Sequence, residues 1–137
     1  QAFSDKMAAR LDIAVNPVNR VEDAVRGMPL VVTATNCREP VVADDVAPRG
    51  GLVCAIGSNW PQRAELAPSV VGRAEAVVCD DVCGLAELVA GKQKIQAAPN
   101  RLVVFKSVGM AIEDVAAADH VVKQARERGV GRELPGL

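Results

Sequence analysis

Aromatic residues are almost absent from this sequence of 137 residues, which contains two Phe, one Trp and no Tyr although half of its residues are hydrophobic. Without large rings, the core has to be filled by Val, Ala, Leu and Ile, as is typical of a parallel β-sheet covered by helices. The chain is long enough for a single domain with one core. The composition therefore favours an α/β fold.

The sequence also lacks a surplus of charge, since 16 basic residues accompany 17 acidic ones and the formal net charge is -1. No cluster of Lys and Arg indicates a phosphate-binding face, which disfavours sequence-independent binding of nucleic acid. No apolar run has the length of a membrane span, and no signal peptide is visible. We expect a cytoplasmic protein with neither a nucleic acid nor a membrane as its partner.

Metal ligands are few, because the sequence has a single His and four Cys. The spacing between Cys79 and Cys83 is not the two-residue gap of a zinc knuckle. Cys37 and Cys54, like the other two, lie in apolar segments. We therefore predict buried, reduced thiols and no metal site.

A glycine-rich phosphate loop is missing as well. No GxGxxG motif occurs, and the doublet Gly50-Gly51 precedes a predicted strand instead of opening a helix. The chain begins at Gln1 with the segment QAFSDKMAARL, which has the pattern of a helix already under way. If this is a dinucleotide-binding fold, we expect its phosphate-binding half to lie upstream of Gln1.

Five short segments that are rich in β-branched residues have the length and composition of buried strands. Helical patterns separate most of them, and strands that alternate with helices imply right-handed crossovers and a parallel sheet. The predicted strands are DIAVN (12–16), PLVVTATN (29–36), LVCAIG (52–57), EAVVCDD (75–81) and RLVVFKS (101–107).

The helical patterns carry apolar stripes and end signals. Asn19 is expected to cap the second helix, with Glu22 as its capping-box partner. Short helices are predicted at PSVVGRA (68–74) and GLAELVAG (84–91), and a long final helix follows Gly109. The apolar stripes consist of Phe3, Met7 and Leu11 in the first helix and of Ile112, Val115, Ala118, Val122 and Ala125 in the last.

Small and polar residues end four of the predicted strands. They are Thr33 to Asn36, Gly57 to Asn59, Asp80 with Asp81, and Ser107 to Gly109. Because ligands bind beyond the carboxyl ends of the strands in an open parallel sheet, these residues are candidates for a binding site. Turns also require such residues, which is the alternative explanation.

Two further interpretations concern single residues of these strand ends. Gly57 is interpreted as a position where backbone can approach a ligand closely. Asp80 and Asp81 are adjacent in a strand and so point to opposite faces, which argues against a catalytic carboxylate pair.

Three segments together resemble the ornithine cyclodeaminase/mu-crystallin family, in order and in spacing. They are PLVVTATNCREPVV (29–42), GLVCAIGSNWPQRAEL (51–66) and FKSVGMAIEDVAAA (105–118). The resemblance implies a Rossmann-type parallel sheet, NAD or NADP as cofactor, a small amino- or imino-acid substrate, and a homodimer. It also implies that residues 1–109 form the C-terminal part of the NAD(P)-binding domain. The helix in 110–137 would then pack towards a substrate and dimerisation domain.

The resemblance further implies roles for individual residues. Asn59 stands where ornithine cyclodeaminases and some alanine dehydrogenases carry a catalytic aspartate, and Val108 resembles a neighbour of the substrate. The residues that match cofactor-contacting positions are Thr33, Val53, Cys54, Ala55, Ile56, Arg63 and Ser107. The family usually has a longer acidic stretch where this chain has only the few residues between Asp81 and Gly84.

The substitution at Asn59 bears on the reaction. An aspartate can accept a proton or stabilise an iminium cation, whereas an amide only forms hydrogen bonds. Loss of the carboxylate favours an NAD(P)-dependent reductase of cyclic ketimines, because reduction of a preformed imine demands less of the protein than cyclisation of ornithine. True ornithine cyclodeamination, a lyase reaction, remains the alternative, and a non-catalytic mu-crystallin-like binder or an inactive fragment is another.

Overall fold

The computed structural model describes residues 2–81, 84–95, 98–132 and 134. Within these ranges the chain forms five helices and four strands, which alternate along most of its length. The helices are α1 (Ala2–Leu11), α2 (Val21–Val25), α3 (Pro68–Gly72), α4 (Leu85–Val89) and α5 (Ala111–Glu127). The strands are β1 (Leu30–Thr33), β2 (Gly51–Ala55), β3 (Ala76–Cys79) and β4 (Leu102–Lys106).

The four described strands form one sheet in the order β1-β2-β4-β3, and every neighbouring pair is parallel. Parallel neighbours require crossover connections, which the intervening helices and loops supply. The register places Thr33 beside Ala55, and Lys106 beside both Ala55 and Cys79. The carboxyl ends of all four strands therefore lie at one edge, and the predicted parallel α/β sheet is confirmed.

The core consists of small aliphatic side chains, as the scarcity of aromatic residues predicted. Among the described residues, Val42, Val53, Val70 and Val104 are the largest fully buried side chains. They come from β2, β4, α3 and the loop after β1, so one face of the sheet is covered by α3 and neighbouring loops. Burial of this face is the main source of stability, since apolar area removed from water dominates folding.

Two expectations for the region before β1 are wrong. The segment DIAVN (12–16) forms no strand: Asp12 ends α1 with a left-handed φ of 53°, and the residues up to Pro17 are irregular. Pro17 removes a backbone donor, and no described strand pairs with this segment. Asn19 does not cap α2, because Arg20 occupies the cap position and its guanidinium binds the Glu22 carboxylate at 3.2 Å.

The predicted final helix is confirmed as α5, but its apolar stripe is exposed. Ile112, Val115 and Val122 are 71%, 67% and 47% exposed, and Phe3 of α1 is 74% exposed. The hydrophobic pattern that predicted these helices therefore faces solvent in this chain.

The described cysteines differ from their prediction in burial. Cys37, Cys54 and Cys79 are free thiols, but they are half-buried and not fully buried; Cys83 lies outside the described residues. Across the ranges given above, no cluster of His, Cys, Asp and Glu could hold a metal ion. In the same part of the chain, no helix is both long and apolar enough to cross a membrane.

Candidate functional site

The ends of β2 and β4 meet at the carboxyl edge of the sheet. Asn59 Nδ2 donates a hydrogen bond of 3.0 Å to the backbone oxygen of Val108, the residue after Ser107. The Ser107 amide in turn donates to Ala55 O at 3.1 Å. Because the strands are parallel, residues 49 positions apart lie side by side here. The structure therefore brings Asn59, Ser107 and Val108 together.

Glu65 connects the ends of β1 and β2 from the interior, where it is 3% exposed. Its Oε1 accepts hydrogen bonds from the amide and hydroxyl of Thr35, at 2.6 and 2.8 Å, and its Oε2 accepts one from the Gly57 amide at 2.7 Å. Burial by itself raises the pKa of a carboxyl group, but these hydrogen bonds outweigh it and lower the pKa of Glu65. The buried group is therefore held as a carboxylate.

Gly57 has a different reason for being glycine from the one proposed above. A Cβ at this position would overlap the backbone N and O of Thr35 and Oε1 of Glu65. The missing side chain makes room for the neighbouring strand end and the carboxylate, so close approach of a ligand is not needed to explain it.

Asp80 connects the ends of β3 and β4 in the same manner and is 5% exposed. Its carboxylate accepts hydrogen bonds from Ser107 Oγ at 2.6 Å and from the amides of Val108 and Gly109 at 2.8 and 3.4 Å. Burial raises the pKa of Asp80, but these bonds dominate and the net pKa is lowered. Asp81 is exposed whereas Asp80 is buried; both follow β3, which ends at Cys79, so they do not alternate within a strand as predicted.

Lys106 connects the ends of β2 and β4. Its half-buried ammonium donates to the backbone oxygens of Ala55 at 3.2 Å, of Ser107 at 2.7 Å, and of Ser58. Glu65, Asp80 and Lys106 thus join each pair of neighbouring strand ends, which we call the three tethers.

The residues predicted to contact a cofactor are placed in two groups. Ser107 is half-buried at the edge, Ile56 is 46% exposed beside it, and Arg63 is exposed with Nη1 bonded to Asn36 O at 2.9 Å. The other group lies within the strands: Val53 and Ala55 are core side chains and Thr33 is 6% exposed, whereas the half-buried Cys54 points to the other face of the sheet. Within the described residues, the Thr33 hydroxyl makes no hydrogen bond of normal geometry, although it lies close to Glu65.

Two cavities flank the sheet. A cavity of about 230 Å³ lies beneath the carboxyl edge and is lined by Ala55, Ser58, Glu65 and Lys106, among others. A groove of about 1000 Å³ runs along the opposite face past Cys54 and Phe105, and its lining is mostly apolar. The larger groove lacks the convergent polar groups found at the carboxyl edge, so it is the weaker candidate for the site.

The structural roles of Glu65, Asp80 and Lys106 were not predicted from the sequence. A signal existed for Lys106, because alternation along β4 places it on the same face as Val104, which is buried. Lysine on a buried face is rare unless its charge is satisfied. No comparable signal existed for Glu65, which lies in a loop without periodicity.

The parallel sheet with polar groups at its carboxyl ends defines an α/β fold of the Rossmann type. The chain belongs to the ornithine cyclodeaminase/mu-crystallin family, whose model matches residues 1–82 and 78–129. The resemblance seen in the sequence is therefore confirmed.

Three relatives are informative. The Δ(1)-pyrroline-2-carboxylate reductase of Bacillus cereus is 27% identical over 82% of this chain and 42% of its own length. The structure of the Thermococcus litoralis Δ(1)-pyrroline-2-carboxylate reductase in complex with NADH and L-proline matches with a TM-score of 0.86 and 27% identity, over 97% of this chain and 49% of that one. An archaeal alanine dehydrogenase dimer with bound NAD matches with a TM-score of 0.80 and 26% identity, over the same shares. The chain thus spans about half the length of the relatives it matches.

Proposed function

We propose that this chain provides the nicotinamide side of an NAD(P)-dependent oxidoreductase that reduces the C=N bond of an amino- or imino-acid substrate, of the cyclic ketimine type. The observation that carries the proposal is the Asn59–Val108 hydrogen bond, because it holds an amide next to Ser107 at the carboxyl edge of a parallel sheet. Ligands of open parallel sheets bind at this edge. The similarity to reductases, one of them in complex with NADH and L-proline, adds support.

The residues at this edge fit a nicotinamide ring. Ile56 presents an apolar surface, and Asn59 and Ser107 provide polar atoms next to it. Thr33 of β1 and Val53 and Ala55 of β2 could contact the cofactor only through their backbone, since their side chains are buried. Arg63 stays an exposed cation available to the cofactor. The described residues are expected to contact only the nicotinamide part of the cofactor, because this sequence contains no GxGxxG loop for the phosphates.

The protein's part in the reaction follows from Asn59. Nicotinamide, when bound, would supply a hydride to the imine carbon. The imine nitrogen takes a proton from solvent beforehand and becomes an iminium N–H, so that overall imine, NAD(P)H and a proton become amine and NAD(P)+. One N–H of Asn59 Nδ2 donates to Val108 O, and Oδ1 is left to accept a hydrogen bond from the iminium N–H and so orient the C=N bond. An amide has no proton to give as an acid, so Asn59 positions the substrate and does not protonate it.

Several further predictions remain part of this proposal. A homodimer is supported by the exposed stripe of α5 and by the dimeric archaeal relative. The division into a partial NAD(P)-binding domain (1–109) and a C-terminal helix segment (110–137) that packs towards a substrate domain is supported by the same stripe. A cytoplasmic location stays a prediction from the sequence.

The experiment follows nicotinamide absorbance in the protein that carries this chain, with Δ(1)-pyrroline-2-carboxylate or ornithine as substrate. We expect oxidation of NADH or NADPH with the cyclic imine, and little release of ammonia from ornithine. Asn59→Asp restores a carboxylate, and we expect it to increase ammonia release, since general acid–base catalysis contributes about a hundredfold or more. Asn36→Asp is the matched control, because Asn36 lies beside the edge and uses its backbone oxygen to bind Arg63.

Each outcome separates two candidates. Ammonia release from ornithine by the unmodified protein, without net change in the cofactor, would establish the cyclodeaminase instead of the reductase. Binding of NADH without turnover of any cyclic imine would favour a mu-crystallin-like binder.

A further inference from the structure

Lys106 lies on the buried face of β4, where a lysine is unusual. It follows Val104 by two residues, and Val104 is 1% exposed. Side chains two residues apart in a strand point to the same face, so the Lys106 stem enters the covered side of the sheet. It lines the cavity of about 230 Å³ beneath the carboxyl edge, together with Ala55 and Ser58.

The ammonium is satisfied by backbone oxygens and not by a carboxylate. Its acceptors are the carbonyls of Ala55 and Ser58, which belong to β2 and the segment after it, and of Ser107, which follows β4. Among the ion pairs of the described residues, none involves Lys106. A lysine has three donors, and here all three go to carbonyl groups on two different strand ends.

In the segment after β2, Glu65 binds the Gly57 amide and Lys106 binds the next residue, Ser58. Ser58 is 6% exposed, yet its hydroxyl has no hydrogen-bond partner in the part of the chain that the structure describes. Its backbone oxygen is bound by Lys106 instead. Without the cation, three carbonyl dipoles would converge on a half-buried space with no charged donor, which is unfavourable, and the Ala55 oxygen would keep the Ser107 amide as its donor.

We propose that Lys106 is a positioning residue that sets the separation between Asn59 and the Ser107–Val108 backbone. Ser58, the neighbour of Asn59, and Ser107 are both bound to the same nitrogen atom. The Asn59–Val108 hydrogen bond is a second connection between the same two segments. The proposal rests on the proposed function only for its catalytic consequence; the structural role holds whatever the site binds.

The test compares Lys106→Met with Lys94→Met by amide hydrogen exchange in the absence of cofactor. Lys94 is exposed, so its substitution is the matched control. Lys106→Met keeps an unbranched stem but removes the donors. We expect exchange at the Gly57, Ser107 and Val108 amides to quicken by about tenfold or more, since hydrogen bonds to charged groups are the stronger ones. Exchange at Val53 and Val104 should change less than about twofold, because local opening leaves the central strands protected.

Two results would overturn the proposal. If exchange at Val53 and Val104 rises as much as at Ser107, Lys106 supports the whole sheet and positions nothing in particular. If no amide changes, its hydrogen bonds hold nothing in place.

A measurement on the unmodified protein keeps the proposal testable if Lys106→Met does not fold. Protons on a lysine Nζ that is bound by three carbonyls exchange slowly with water, so NMR of nitrogen-15-labelled lysine should show a protected signal for Lys106 and none for Lys94. Absence of the Lys106 signal contradicts the proposal. In the reductase assay, we expect Lys106→Met to lower kcat more than it raises KM. Localised exchange without any reductase activity would refute the function and leave the positioning role intact.

Discussion

At the amino end of the sheet, the loops before the strands meet through backbone contacts and one exposed ion pair, whereas at the carboxyl end buried or half-buried charged side chains connect the strand ends. Gly50 and Gly51 lie so close to the backbone of Pro99 and Pro29 that a Cβ on either would overlap a carbonyl group. Two backbone hydrogen bonds join the same loops: Gly51 N donates to Arg101 O at 3.0 Å, and Leu52 N donates to Pro29 O at 2.9 Å. At the carboxyl end, the three tethers connect the neighbouring strand ends.

This difference has a physical consequence. Backbone in direct contact leaves no room for a side chain at Gly50 and Gly51, and the mostly apolar groove of about 1000 Å³ runs past these residues on one face of the sheet. A carboxylate or ammonium reaches past the strand ends and satisfies several backbone groups at once, which allows loops to be ordered while their outer surfaces stay accessible. The carboxyl end therefore offers polar groups to a ligand, whereas the groove beside the amino end has a mostly apolar lining.

The largest expected effect concerns Gly57, the point where the carboxyl end is also tightly packed. Gly57→Ala places a Cβ against the backbone of Thr35 and the Glu65 carboxylate, and we expect it to lower the free energy of unfolding by about 3 kcal/mol. Urea denaturation measures this. Gly72→Ala is the matched control, because a Cβ there meets nothing within 4 Å. Equal stability of the two variants would show that the ends of β1 and β2 move apart easily, which would contradict the tight packing at Gly57.

A smaller effect is expected for Asp80→Asn, which weakens three hydrogen bonds and should cost about 2 kcal/mol at neutral pH. The pKa of Asp80 is lowered in the folded state, so its contribution is present above the pKa of the unfolded chain, about 3.9. It is lost as the pH falls through the folded pKa. The unmodified protein should therefore lose more stability on acidification below about pH 4 than Asp80→Asn does.

The control for this prediction is Asp81→Asn, which changes the exposed neighbour. Chemical denaturation at a series of pH values gives the profiles. Parallel profiles for the unmodified protein and Asp80→Asn would mean that the stability contributed by Asp80 does not depend on its negative charge.

The smallest effect is expected at the amino end. Arg101 Nη1 binds Glu75 Oε1 at 2.7 Å, with side chains 47% and 39% exposed. Because water and salt screen exposed ion pairs, we expect Arg101→Gln to cost less than about 1 kcal/mol. Thermal unfolding at low and high salt should show the difference disappearing at high salt. A cost equal to that of Asp80→Asn would erase the contrast between the two ends.

The sheet and part of the site could be predicted from the sequence. The β-branched segments around Val31, Val53 and Val104 have the length of buried strands, and their alternation with helices indicated parallel pairing. From that pairing alone, Asn59 and Ser107 were expected at one edge, where they lie. The segment DIAVN has the local pattern of a strand, but no described strand pairs with it. The absence of a neighbouring strand cannot be seen in a local pattern.

The tethers could not be predicted in full, because their partners are distant in sequence. Glu65 binds Thr35, 30 residues earlier, and Asp80 binds Ser107, 27 residues later. A carboxylate in a loop is ordinarily solvated, and only the assembled sheet turns Glu65 inward. In α5 the apolar pattern correctly predicted a helix. It did not predict that the apolar stripe would be exposed in this chain.

The sequence by itself determined which segments become strands and helices and that the strands run in one direction, because these depend on side-chain period and on connections between neighbours. Only the tertiary structure decided which charged groups are buried and which strand ends they join. A buried carboxylate or ammonium is stable only where several backbone groups converge on it, and that convergence exists only once the sheet has formed.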